Sequence, residues 1–394
     1  QPGKPFEFAI GRFSLTEGRF LLDKFNDSPN FVSLPDVMDY NHLRVHDISL
    51  QADSVAFTDD LVFSGTLRNL SAKERCGFEL SHLEANKVIV SDKLTGLYGA
   101  KLQTPYSSLG DTIAFHYNRY QAYQQFNDSV SMELRLAKGS KVLIGDINYF
   151  SEGLANNKFF LQNSDELAEL SGTVTGTINK LRGRDLDIKI DANTYMKGNF
   201  IGDELAGNKD LMKLGFKFEA LHSDFRTISR IIPGFSAPEY FYRLGNIGYE
   251  GNYDVIFGNI HILYGNITTD IGAGHLDMEL DLSKGKEEAT YAGNLYMKEF
   301  DLATWTGNPD FGKTTFRVKI DEPSKGLSLR TMNTILEGSV DTFFFRGYNY
   351  QNVSLKGQFQ NYVFHGDLGL DDDNIKFGFK GDIDMKDSIT LFDF

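Results

Sequence analysis

Strict two-residue alternation constrains this chain more than any other feature. In the stretch GYNYQNVSLKGQFQNYVFHGDLGLDDDNIKFGFKGDIDM, Val353, Leu355 and Phe359 share one parity, with Ser354, Lys356 and Gln358 on the other. Tyr362, Phe364 and Leu368 then alternate with Val363, His365 and Asp367. Ile375, Phe377, Phe379 and Ile383 alternate with Asn374, Lys376, Gly378, Lys380 and Asp382. Successive side chains of a strand point to opposite faces, so each run has one oily and one wet face, as in a half-buried antiparallel strand. The connections, Gln360-Asn361 and Asp371-Asp372-Asp373, are short enough for hairpins. The spacing predicts a meander in which sequence neighbours are also sheet neighbours.

The same pattern starts at Phe6, Phe8 and Ile10 and runs throughout. It places Val130, Met132, Leu134 and Leu136 together, then Val174 with Ile178, and Leu186 with Ile188 and Ile190. Later it groups Leu276, Met278, Leu280 and Leu282, then Phe316, Val318 and Ile320. Gly (38) and Phe (33) are abundant and Pro (9) is scarce, which suits many strands joined by tight turns. No βαβ alternation occurs, which excludes a parallel α/β fold. In the Phe343-Phe344-Phe345 run, one ring must face outward or sit at a bulge.

One region breaks the alternation. In HSDFRTISRIIPGF, Ser223 can cap a helix with Phe225, Ile228 and Ile232 on one side, ended by Pro233-Gly234. A shorter helix follows in APEYFYRLG. Helix is therefore expected largely between Ser223 and Arg243, as a core-facing connector or as a flap on an oily face. The resulting order is a strand block over 1–221, a helical insert over 222–244 and a strand block over 245–394, all within one continuous architecture.

A net charge of −14 argues against nucleic acid as a partner, which requires a basic footprint, and against adhesion to anionic membranes by charge. The single cysteine, Cys76, allows no internal disulfide; Lys73 and Arg75 beside it could lower its pKa, although a structural role is favoured. No apolar run is long enough to span a bilayer. The start at Gln1 reads as an internal or processed piece of a longer protein. No metalloprotease, nucleophile-elbow, P-loop or dinucleotide motif is present, so neither catalysis nor a cofactor is expected. His42 and His46 have the spacing of a metal pair on a helix, but Val45 and Ile48 indicate a strand, where that spacing does not converge. Asp371 to Asp373 lack the glycine and distal glutamate of a calcium loop and read as a solvated turn. Asn69-Leu70-Ser71 and Asn266-Ile267-Thr268 match the glycosylation pattern by chance if the chain is bacterial.

DYNHLRVHDISLQADSV and ERCGFELSHLEANKVIVSDKLTGLYGAKLQTPYSSLGD resemble the periplasmic part of TamB-like proteins of the Bacteroidota. The resemblance continues through LSGTVTGTINKLRGRDLDI, TYMKGNFIGDELAG and IIPGF…RLGNIGYEGNYDVIFGNI. It closes with ATYAGNLYMKEFDLATW…FGKTTFRVKI and FFFRGYNYQNVSLKGQF, covering nearly all of the chain. Leu205-Ala206 stands where the family has Leu-Pro.

The resemblance implies an all-β fold: an elongated antiparallel β solenoid forming a U-shaped open trough, akin to AsmA-like bridge-type lipid transporters. It implies phospholipid transfer between inner and outer membranes, in the periplasm of a bacterial cell envelope. The alternative is a scaffold for outer-membrane protein translocation and assembly, working with a barrel of the TamA or BamA type. Partners would be phospholipid acyl chains, the barrel through a missing C-terminal part, and the inner membrane through a missing N-terminal anchor. The groove would be lined by Leu276, Met278, Leu280, Phe316, Val318, Ile320, Val353, Leu355, Phe359, Phe364, Leu368, Ile375, Phe377, Phe379 and Ile383. By alternation alone, aromatic positions such as Phe364, Phe377 and Phe379 read first as the core of a closed sandwich; it is the resemblance that turns them into groove residues. A carbohydrate-active β enzyme ranks last, because the carboxylates are dispersed over turns and wet faces.

Overall fold

A computed structural model describes residues 7–24, 36–58, 62–150, 152–231, 239–328, 330–384 and 391–393. The chain divides into two compact units, Gln1–Ala206 with Arg230–Gly234, and Gly207–Ser229 with Phe235–Phe394. The first carries β1 (Phe8–Leu21), β2 (Arg44–Phe57), β3 (Phe63–Glu74), β4 (Glu79–Val90), β5 (Leu94–Gln103), β6 (Ser108–His116), β7 (Ser131–Leu143), β8 (Leu167–Gly176), β9 (Lys180–Lys189) and β10 (Tyr195–Asp203). The second carries β11 (Lys213–Asp224), β12 (Asn246–Ile256), β13 (Ile260–Thr269), β14 (Gly272–Asp281), β15 (Thr290–Asp301), β16 (Phe311–Lys325), β17 (Asn333–Phe345), β18 (Tyr348–Gln360), β19 (Val363–Asp371), β20 (Lys376–Asp384) and β21 (Leu391–Asp393).

The chain is all-β, and within each unit every strand pairs antiparallel with the next, as the alternation predicts. Among the described residues no pairing joins the first strand of either unit to its last, so neither meander closes into a barrel. Residues directly opposite each other in an antiparallel pair share a face. In the first unit this aligns Val88, Leu97, Ile113, Leu134, Val174, Gly183 and Phe200 across seven strands. A buried cluster of Leu67, Leu83, Ala85 and Ala100 lies towards β3.

Several expectations for single residues change. Val130 precedes β7; it is fully buried, and its amide donates to the Phe126 carbonyl at the end of α1 (Phe126–Ser129). Ile178, Ile190 and Leu282 fall just beyond strand ends. Phe6, Ile232 and Pro233-Gly234 lie outside the described residues.

Helix is also more widespread than alternation suggests. Beyond α1 there are α2 (Ile144–Asn148), α3 (Glu152–Ala155), α4 (Lys158–Gln162), α5 (Phe225–Ile231) and α6 (Leu302–Thr306), with 3-10 turns at Tyr120–Gln125, Lys209–Leu211 and Glu239–Leu244. Each helix spans seven residues or fewer, about two turns at most, too short to print a helical period on the sequence. The cap of α5 is Asp224, not Ser223: its carboxylate accepts from the amides of Arg226 (2.8 Å) and Thr227 (3.0 Å), while Ser223 is buried at the end of β11. Asp301 caps α6 in the same way through the Thr304 amide (3.1 Å), and Gly307 ends that helix with φ of 75°.

Candidate functional site

The register of the second unit gathers the residues that alternation assigned to an oily face. One row across β15 to β20 is Met297, Phe316, Val340, Val353, Leu370 and Phe377. The next, beginning on β14, is Leu276, Leu295, Val318, Gly338, Leu355, Leu368 and Phe379. A third is Met278, Gly293, Ile320, Leu336, Gly357, Gly366 and Gly381. Thr334, Phe359, Phe364 and Ile383 form a fourth, and Leu280 lies between His261 and Tyr291. Every predicted lining residue except Ile375 is thus on a strand and on one continuous face. Ile375 sits just before β20 with the parity of Phe377.

The other face is wet. Lys319, Glu337, Lys356, Asp367 and Lys380 stand opposite one another with alternating sign. Lys356 pairs with Glu337 at 3.0 Å and Lys380 with Asp367 at 3.3 Å. Such exposed pairs contribute at most about 1 kcal/mol each; their main effect is to keep this face solvated.

Among the described residues the main close backbone approaches of β17 to β20 are to the strands paired beside them. Most of their oily side chains are half-buried; Phe377 is 51% exposed and Ile375 46%. Phe364 and Phe379 are buried. The tip of the Phe364 ring lies 2.9 Å from where a Cβ on Gly357 would stand, so the ring lies over the glycine of the adjoining strand. A sandwich core would bury this whole surface against an opposing sheet.

Towards β12 to β16 the same face is covered. Leu244, Ile271, Met297 and Phe300 form a buried cluster, with Phe225, Phe241, Trp305 and Phe316 packed on it. Ring centroids are 5.2 Å apart for Phe225–Phe241, 5.4 Å for Phe241–Trp305, 5.5 Å for Phe300–Trp305 and 6.0 Å for Phe300–Phe316. The insert after β11 therefore packs on the oily face, and Phe316 belongs to that covered patch. Sequence reasoning missed this cluster, whose rings come from distant segments. The lone tryptophan in a helix-breaking context was its only visible sign.

Farther along, Phe343 and Phe345 stack on one side (6.1 Å) and Phe344 turns to the other, 37% exposed, as the three-ring run requires. Two polar pairs interrupt the oily rows. The Tyr253 hydroxyl meets His261 Nδ1 at 2.9 Å; burial pushes the imidazole pKa down and the phenol pKa up. Tyr291 bonds Thr334 Oγ1 at 2.5 Å.

The remaining candidates are held by local structure. His42 is buried beside Asp39 (2.9 Å) and His46 pairs with Asp47 (3.2 Å), so the two histidines do not converge. The Asp372 carboxylate accepts from the Tyr348 hydroxyl (2.5 Å) and the amides of Gln351 and Asn374, and Asp371 pairs with Lys376 (2.8 Å). Cys76 fits the structural role: burial, with Glu74 beside it, pushes the thiol up to about 11, while Lys73 pairs with Glu79 and Arg75 donates to the His42 carbonyl. Among the described residues no three His, Cys, Asp or Glu side chains form a metal-binding group, and no helix is long and apolar enough to cross a membrane.

No family model matches the chain, and neither a curated protein nor a solved structure does.

Proposed function

We propose that this chain is a segment of a bacterial envelope bridge whose oily sheet face carries phospholipid acyl chains between the inner and outer membranes. The observation that carries this reading is the register-continuous apolar face over β17 to β20, which leaves Phe377 51% exposed and Ile375 46% exposed at its edge. Each methylene kept from water is worth about 0.8 kcal/mol, so exposing a whole chain costs on the order of 10 kcal/mol. A face that presents similar apolar groups at each successive strand, about 4.8 Å apart, removes that cost at every step. The head group stays in water and no catalytic group is needed. The resemblance to TamB-like proteins supports the same reading and, with it, a periplasmic setting.

A second reading, as a scaffold for outer-membrane protein assembly beside a TamA-type barrel, draws on β1. That strand exposes Ile10, Phe13, Leu15 and Phe20, and among the described residues only one of its edges is paired. Open edges of this kind accept added strands. Mass spectrometry of organic extracts from the purified, folded chain separates the two readings. Co-purified phospholipid is the expected result; a lipid-free extract removes the bridge reading for this segment.

A further inference from the structure

The helical cover of the second unit has a second side. Along the 3-10 turn Glu239–Leu244, Phe241 and Leu244 pack into the aromatic cluster, while the exposed Glu239 and Arg243, with Tyr242 and the exposed Arg226 of α5, line an open surface depression of about 350 Å3. The other three arginines of this unit are neutralised: Arg317 by Asp341 (2.8 Å), Arg330 by Glu287 (3.4 Å) and Arg346 by Asp310 (2.9 Å). Neither Arg226 nor Arg243 has a carboxylate within ion-pair distance among the described residues. Asp224, the nearest acidic group along the chain, is engaged in capping α5. Arg243 gives one N–H to the Trp305 carbonyl (2.8 Å) and has no second hydrogen-bond acceptor among the described residues. In a chain of net charge −14, two guanidinium groups that share one depression with the single carboxylate of Glu239 leave it net positive and able to attract an anion, although Arg226 also acts on Asp224 through space.

We infer that this depression is a head-group site for a zwitterionic phosphodiester. Arg226 and Arg243 would take the phosphate oxygens, and Glu239, facing the same depression, the ammonium. Two guanidinium groups can share the oxygens of one phosphate monoanion while the single carboxylate meets the tethered cation, with one positive charge left over. The volume lies at the small end for ligand sites, suited to a polar head and not to two acyl chains. One turn of chain thus has an oily side towards the apolar face and a charged side towards water, the two requirements of an amphiphile. The link from head group to acyl chain rests on the proposed lipid-carrying function; the polar site itself does not.

The test uses sn-glycero-3-phosphoethanolamine, which has no acyl chain, with glycerophosphoglycerol and inorganic phosphate as comparators, titrated into the full chain by calorimetry. Expected are binding of the ethanolamine diester, at least ~tenfold weakening in Arg226→Gln, and loss of the preference for ethanolamine over glycerol in Glu239→Gln with phosphate affinity retained. Equal affinity in wild type and Arg226→Gln overturns the site, as does no binding by folded wild-type protein. Inorganic phosphate binding as tightly as the ethanolamine diester overturns the zwitterion assignment. Lipid extraction from the same samples is read separately. Arg226-dependent binding of the diester with lipid-free extracts keeps this site and removes the acyl-carrying function, and the converse pattern does the opposite.

Discussion

Glu74 shows how one residue can matter for the fold while its sequence context misleads. It is 6% exposed at the end of β3, and its carboxylate accepts from the amides of Arg44 (2.9 Å) and Cys76 (2.6 Å). Burial alone would raise its pKa, but these hydrogen bonds outweigh it and hold the carboxyl below the ordinary glutamate range. With the folded value depressed, the contribution to stability is fully present above the unfolded value and is lost as pH falls through the folded one. Glu74→Gln should lower stability at neutral pH by about 1–3 kcal/mol, because one well-matched acceptor is replaced by a donor. It should also flatten the acid limb of the stability profile; denaturant melts from pH 7 to pH 3 give both readings, and a variant whose acid limb equals wild type would contradict the role. From sequence, Lys73 and Arg75 drew attention to the Cys76 thiol. The fold turns both cations to other partners and leaves the thiol against burial and a carboxylate, a rearrangement that neighbours in sequence do not reveal.

At the scale of elements, strands were legible because every second residue of a half-exposed strand must satisfy the same environment. Helices α1 to α6 were mostly illegible because four to seven residues complete too little of a period. The exception is α5, whose place the sequence shows but whose cap it does not decide, since Ser223 and Asp224 are both good caps and only the end of β11 chooses between them. Glycine positions were visible, but not their roles. Gly366 stands opposite Gly357, and a Cβ on it would lie 2.3 Å from the Lys356 carbonyl oxygen and 2.7 Å from the Gly357 Cα, so two backbones approach more closely than any side chain allows. Gly378, on the neighbouring strand, has open space around its would-be Cβ. Gly366→Ala is expected to lower the melting temperature by several degrees and Gly378→Ala to leave it within about a degree or two. Thermal melts of the two variants side by side check this, and equal melting temperatures would mean that the close approach at Gly366 is not needed.

At the scale of the whole molecule, the make-up of the oily face and its cover are separate matters. Which residues share the oily face could be read from parity alone: Val353, Leu355, Phe364 and Phe379 fall where alternation put them. Whether that face is covered could not, because cover depends on segments far apart in sequence. Phe241 and Trp305 pack into the cluster that also holds Phe316, while Phe377 stays 51% exposed. The direct measurement is photo-crosslinking in the cell envelope with a benzophenone amino acid at position 377 or, one residue away, at position 376. Phe377 is on the apolar face, and Lys376 pairs with Asp371 on the wet one. A phospholipid adduct from position 377 and none from position 376, read by mass spectrometry of the purified protein, is the result expected of an acyl-carrying face. Equal lipid adducts from both positions, or protein adducts from 377 with no lipid, would contradict it.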